Sequence, residues 1–215
     1  MRRTTRLRKL RIATCVHLRR LRGDVASLAS ATTVRELETT MSYVTIQLLN
    51  LWANFVRAYF LSCMLGARRE SGPRIAVMHP GLTYHNALGI AVHVFRPAAM
   101  PMGGGRWDRR DEPRWHETRW ILTLAANETF SNVGDIHAAL STGTRVFIDL
   151  PVFRNYFAHR NEQTRVAACN LALLNSIPMN PRPSRILLTR PLGRPQSLIE
   201  DWIDEVAFTV EYMCH

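Results

Sequence analysis

Val34, Leu37, Met41, Val44, Leu48, Leu51, Phe55 and Tyr59 follow one another at alternating spacings of three and four, the period of one face of an α-helix. Ile46, Leu49, Val56, Phe60 and Met64 add apolar side chains on the flanks. What remains is one polar stripe of Gln47, Asn50, Asn54 and Arg57, so the helix is expected to be buried on most sides. Thr33 followed by Glu36 opens it with a capping-box pattern, and "RRESGPR" at 68–74 closes it. Val44 to Ala67 is the most apolar stretch of the chain, but the polar stripe interrupts it. A central arginine alone costs roughly 3 kcal/mol in a bilayer, which points to a buried helix of a soluble protein rather than a membrane span.

Further along, the pattern is shorter in period and more broken. "YHNALGIAVHVF" at 84–95 reads as a short helix. Pro97 to Glu117 is punctuated by proline and glycine and reads as a long loop. Its glycine triplet is not a phosphate-binding loop, because no strand leads in and no Gly-Lys-Ser follows. Helices are expected at Thr118 to Asn127 and Ser131 to Leu140. Asp149 and Pro151 are helix-start residues; a helix is predicted to begin within a residue or two of them and to run through Val166, Leu173 and Leu174 to Ile177. "PMNPRP" then stops it. A last helix begins at Ser197, where Ser197 and Glu200 form another capping box. The sum is a mainly α-helical bundle of four to five helices with a long loop or insertion around 70–117.

Composition changes this picture little, and charge changes it at one end. With 47% hydrophobic and 21% charged residues, the chain has an ordinary globular composition. Of its 28 Lys and Arg, nine fall within residues 1–23, where there is no acid, and the rest of the chain holds 19 basic residues against 17 acidic ones. The expected organisation is therefore a basic N-terminal arm at 1–23 followed by one helical domain at 24–215. Two readings of the arm stand side by side: a phosphate-pairing segment, or a disordered leader resembling an organelle transit peptide. Cys15, Cys63, Cys169 and Cys214 form no Cys-x-x-Cys pair, which suits reduced thiols in a cytoplasmic protein. No Asp/His/Cys cluster has metal-ligand spacing, and no metal or other cofactor is expected.

The chemistry-bearing candidate is "RNYFAHRN" at 154–161. An Arg followed by a His at about this spacing also occurs at Arg74/His79, Arg11/His17, Arg110/His116 and Arg109/His116, so spacing alone means little in an arginine-rich chain. Only Arg154/His159 has a carboxamide, Asn155, after the arginine and helix-start residues just upstream. Asn155 and His159 are four apart and share a helix face. Arg154 stands beside that face on a long stem, and a helix N-terminus there would favour a phosphate.

"RNYFAHR" resembles the Arg-polar-x3-His signature of HEPN domains, small α-helical bundles of which many are metal-independent endoribonucleases in toxin–antitoxin and anti-phage systems. The resemblance implies RNA as substrate, attack by its own 2′-hydroxyl, and products with a 2′,3′-cyclic phosphate and a 5′-hydroxyl. His159 would move protons, Arg154 would stabilise the phosphate, and Asn155 would orient the imidazole or bond the phosphate. It further implies a C2 homodimer with the motif at the interface, and an antitoxin or other partner protein. The tyrosine that some of these toxins carry two residues after the histidine is Asn161 here. Arg160, and Asn54 and Arg57 from the long helix, are weaker candidates for substrate binding; a polar network inside the bundle is the alternative for the last two. His137 is expected to be a partly buried histidine with its hydrogen bonds satisfied. Two other functions remain open: a catalytically silent HEPN-like binding or scaffold module, and an unrelated helical protein whose basic arm binds nucleic acid.

Overall fold

In the computed structural model, residues 6–28, 33–76, 79, 81–103 and 105–215 are described. Among them the chain is mainly α-helical, with three isolated bridges and no strand. The helices are α1 (Leu7–Ser27), α2 (Val34–Met64), α3 (Tyr84–Phe95), α4 (Thr118–Asn127), α5 (Val133–Leu140), α6 (Val146–His159), α7 (Glu162–Leu174), α8 (Pro183–Leu188) and α9 (Leu198–Cys214). Nine helices among the described residues replace the four to five expected.

Three of the nine go beyond the stretches predicted as helices. The stretch expected as a basic arm is, from Leu7 onward, the beginning of α1, and residues 1–5 lie outside the described residues. Leu7, Thr14, Leu18, Leu21 and Val25 form a thin buried seam in α1, which the surrounding arginines obscure in the sequence. Those arginines find acids: Arg11 donates to both carboxylate oxygens of Glu70 at 2.7 and 2.9 Å, and Arg22 binds Asp204. The helix predicted to run from Asp149 to Ile177 is two helices, α6 and α7, joined by a turn at Arg160 and Asn161. The proline-rich stretch after α7 holds the six-residue α8, with Pro183 at a position where its missing N–H is harmless.

The chain divides into two compact units. The first comprises residues 6–14, 52–143 and 209–215. Its core holds Trp52, Phe55, Val56, Tyr59 and Phe60 of α2, with Ala91 and Val92 of α3, Ile121 and Leu124 of α4, and Val210 and Met213 of α9. The end of the loop predicted at 97–117 reaches this core. Trp115 is buried and meets the Phe60 ring at 5.5 Å between centroids. Trp107 lies so close to Gly89 on α3 that a Cβ there would come within 2.9 Å of its ring nitrogen, so only glycine fits.

The second unit comprises residues 15–51 and 144–208. Its buried residues come from Leu37, Met41, Val44 and Leu48 of α2, Leu150 and Phe153 of α6, Ala168 and Ala172 of α7, Ile186 and Leu187 of α8, and Ile199, Trp202 and Val206 of α9. Phe153 and Trp202 meet edge to face. The capping box predicted at 33–36 is complete, and the one at 197–200 forms through the Glu200 side chain alone. Thr33 and Glu36 bond reciprocally at 3.1 and 3.2 Å, and the Ser197 backbone N–H donates to the Glu200 carboxylate at 3.0 Å.

Candidate functional site

The α6–α7 hairpin, inside the second unit, carries the motif. Its first turn is fixed by Asp149, which is 0% exposed. The Asp149 carboxylate accepts from Arg145 Nε and Nη2, each at 2.9 Å, and from Asn175 Nδ2 at 2.8 Å. This ties the start of α6 to the residue that ends α7. Asp149 therefore does not cap the helix, which begins three residues earlier at Val146. Pro151 sits in the second turn rather than at the start.

The motif thus occupies the C-terminal half of α6, not a helix start, and His159 is the last helical residue. Arg160 ends the helix in the left-handed region (φ 49°), its N–H bonding the Tyr156 carbonyl at 2.7 Å. Asn161 then caps α7, its side-chain oxygen accepting from the Thr164 N–H at 2.9 Å. The helix end near His159 presents carbonyl oxygens and partial negative charge, which does not help to hold a phosphate. The nearby positive helix end is that of α7, and its first turn carries Glu162, ion-paired with Arg165.

Arg154 is half-buried, while Asn155 and His159 are exposed. None of the three side chains makes a hydrogen bond or ion pair among the described residues, whereas Arg145 and Arg165 on either side are both paired with carboxylates. At ~100° per residue, Asn155 and His159 project from one face, and Arg154 lies about 140° from His159 around the axis. Between them, burial raises the Tyr156 phenol above its ordinary pKa and the negative charge of Glu38 adds to this; it stays protonated at neutral pH and is no candidate base. Arg160 is exposed, and its guanidinium makes no hydrogen bond or ion pair among the described residues.

Asn54 and Arg57 are committed to the first unit. Arg57 donates to both carboxylate oxygens of buried Glu112 and to the Tyr84 hydroxyl. The hydrogen bond to Glu112 holds its guanidinium above the usual arginine range. Asn54 accepts from Arg109 Nη2 at 2.6 Å. The Arg57–Glu112 contact is part-buried, whereas that of Asn54 lies at the surface. His137 is exposed rather than partly buried, because Ile136 and Ala139 supply the buried side of α5.

The sequence did not foretell the apolar exposure of this hairpin. Ile148, seven and eleven residues before Asn155 and His159 and on the same face of α6, is 67% exposed. Val166, Leu173 and Leu174 of α7, through which the predicted helix runs, are exposed as well. Their periodicity was visible, but the split at Arg160 rotates the buried side of α7 onto Thr164, Ala168 and Ala172.

Among the described residues no group of three or more His, Cys, Asp or Glu could hold a metal ion, and no helix is long and apolar enough to cross a membrane. Compared with protein-family models, curated proteins and solved structures, the chain matches none of them.

Proposed function

We propose that the protein is a metal-independent endoribonuclease of HEPN type, a toxin or anti-phage effector acting in the cytoplasm. The observation that carries this reading is that Arg154, Asn155 and His159 stand uncommitted on α6, beside an equally unpaired Arg160, while Arg145 and Arg165 are neutralised. RNA supplies the nucleophile, so the protein's part is to move protons and to stabilise charge on phosphorus. His159 takes the proton of the 2′-hydroxyl or protonates the leaving 5′-oxygen. The Arg154 guanidinium forks onto the phosphate, and Asn155, one turn before His159 on its face, steadies the imidazole or the phosphate.

One histidine cannot serve as base and acid in the same turnover, so the reading requires two copies facing each other about a two-fold axis. The wide angle between Arg154 and His159 on one helix agrees with this, since Arg154 of one copy can then serve the phosphate beside His159 of the other. The exposed Ile148 on the motif face suits a self-complementary contact. An antitoxin or other partner would silence the site. The second reading, a catalytically silent HEPN-like module, is favoured by the position of His159 at the negative end of α6.

The decisive experiment incubates the purified protein with RNA in EDTA beside Arg154→Ala and His159→Ala variants. Wild type is expected to leave 2′,3′-cyclic phosphate ends, and each variant to lose at least a hundredfold in rate. RNA left intact by wild type, or cut equally by the variants, overturns the enzymatic reading.

A further inference from the structure

From Gln163 to Ile199 the chain contains no Asp, Glu or His, yet it carries Arg165, Arg182, Arg185, Arg190 and Arg194. Arg165 is paired with Glu162. The other four are all exposed, and none of their side chains makes a hydrogen bond or ion pair among the described residues. Arg194 feels the carboxylates of Asp201 and Glu205 at longer range. Eleven other arginines are ion-paired with carboxylates, whereas the stretch itself offers these four no acid to pair with.

The segment holding these four arginines is also firmly built. Pro181 and Pro183 flank Arg182, Pro191 follows Arg190, and Pro195 follows Arg194, so the backbone that presents them has little freedom to lose. The Pro181 carbonyl accepts from Arg165 at 3.1 Å, the Leu192 N–H bonds the Ser176 carbonyl, and the Leu198 N–H bonds the Thr189 carbonyl, the last two at 3.0 Å. Ser184 binds Glu38. A backbone ordered before binding has less conformational freedom to lose when its arginines take up phosphates.

We infer that Arg182, Arg185, Arg190 and Arg194 form a strip that tracks the phosphate backbone of single-stranded RNA, on the same unit as Arg154 and His159. Guanidinium groups match phosphate geometry two bonds at a time. An anionic membrane surface fits less well: a helix lying in a bilayer interface needs a free apolar face, and α8 has buried its own, Ile186 and Leu187, in the core. The choice of RNA among polyanions rests on the reading of the α6 site.

The test measures binding separately from cleavage. His159→Ala protein, which leaves the oligonucleotide whole, is titrated with fluorescent oligouridylate by anisotropy across a salt series. Adding Arg182→Gln, Arg185→Gln, Arg190→Gln and Arg194→Gln is expected to weaken binding more than tenfold. It is also expected to flatten the slope of log affinity against log salt by about 3, four lost contacts at roughly 0.7 each. Removing four arginines of the first unit instead (Arg106→Gln, Arg110→Gln, Arg114→Gln, Arg119→Gln) is expected to change affinity less than threefold. In parallel, hydrogen exchange of the unaltered strip should slow over residues 176–199 when RNA is added. Unchanged affinity and slope in the strip variant, equal loss in the control, or binding to phosphatidylglycerol vesicles in place of RNA overturns the inference. If wild type binds RNA through the strip but cuts nothing, the α6 reading fails and the strip stands. If the strip variant binds and cuts as wild type does, the strip fails and the α6 reading stands.

Discussion

Asp149 ties the two helices of the hairpin together from just ahead of the motif. Removing a carboxylate buried at 0% exposure with three hydrogen bonds leaves the Arg145 guanidinium without its partner and Asn175 with only the Leu171 carbonyl. Asp149→Ala is therefore expected to cost about 2 kcal/mol, read as a lower urea midpoint of unfolding with an unchanged slope. Asp149→Asn keeps an acceptor for Arg145 and should lose less. An unchanged midpoint for the alanine variant would refute the clamp. The sequence made Asp149 legible only as a helix-start type, since its partner Asn175 lies 26 positions away and nothing local announces the pairing. Arg57 and Asn54 repeat the lesson. Their place on one polar stripe was readable, whereas Glu112 and Arg109, each 55 positions on, could be matched to them only by the fold.

At the scale of elements, local signals were read well and a two-residue break was not. α3 and α4 occupy the predicted stretches, and α2 and α9 begin at the predicted capping boxes, because caps and periodicity act within one or two turns. The turn at Arg160 and Asn161 escaped because neither residue is a glycine or proline and the apolar period continues on the far side. Yet Asn161 three residues before Thr164 is itself a capping pattern, now seen to start α7. Asn161→Ala is expected to destabilise by about 1 kcal/mol. Arg160→Gly, which relieves a left-handed backbone at φ 49°, should stabilise by several tenths to about 1 kcal/mol. Thermal melts of the two variants should move in opposite directions. If Arg160→Gly melts lower than wild type, its side chain does more than the turn requires. The same turn decides how the motif is read, since it puts His159 at the end of a helix that the sequence seemed to begin there.

For the whole molecule, the mainly helical class was legible from periodicity, while the number of helices and the division into two units were not, because they depend on which faces meet. Assembly has the same character. The sequence offered the motif and, by resemblance, a pair of copies; the fold adds a large exposed apolar side chain, Ile148, on the motif face. Completing the burial of an isoleucine that is 67% exposed is worth about 1–2 kcal/mol, and a two-fold axis counts it twice. Under the two-copy reading, Ile148→Arg, which also sets like charges against each other across the axis, should raise the dimer dissociation constant at least tenfold in sedimentation equilibrium. Far-ultraviolet circular dichroism should stay unchanged, because the side chain supports nothing in the core. RNA cleavage at low protein concentration should fall with the dimer and recover as the concentration rises, which a damaged active site would not allow. A wild-type protein that stays monomeric while it cuts RNA would sink the composite site and require both proton transfers from a single α6.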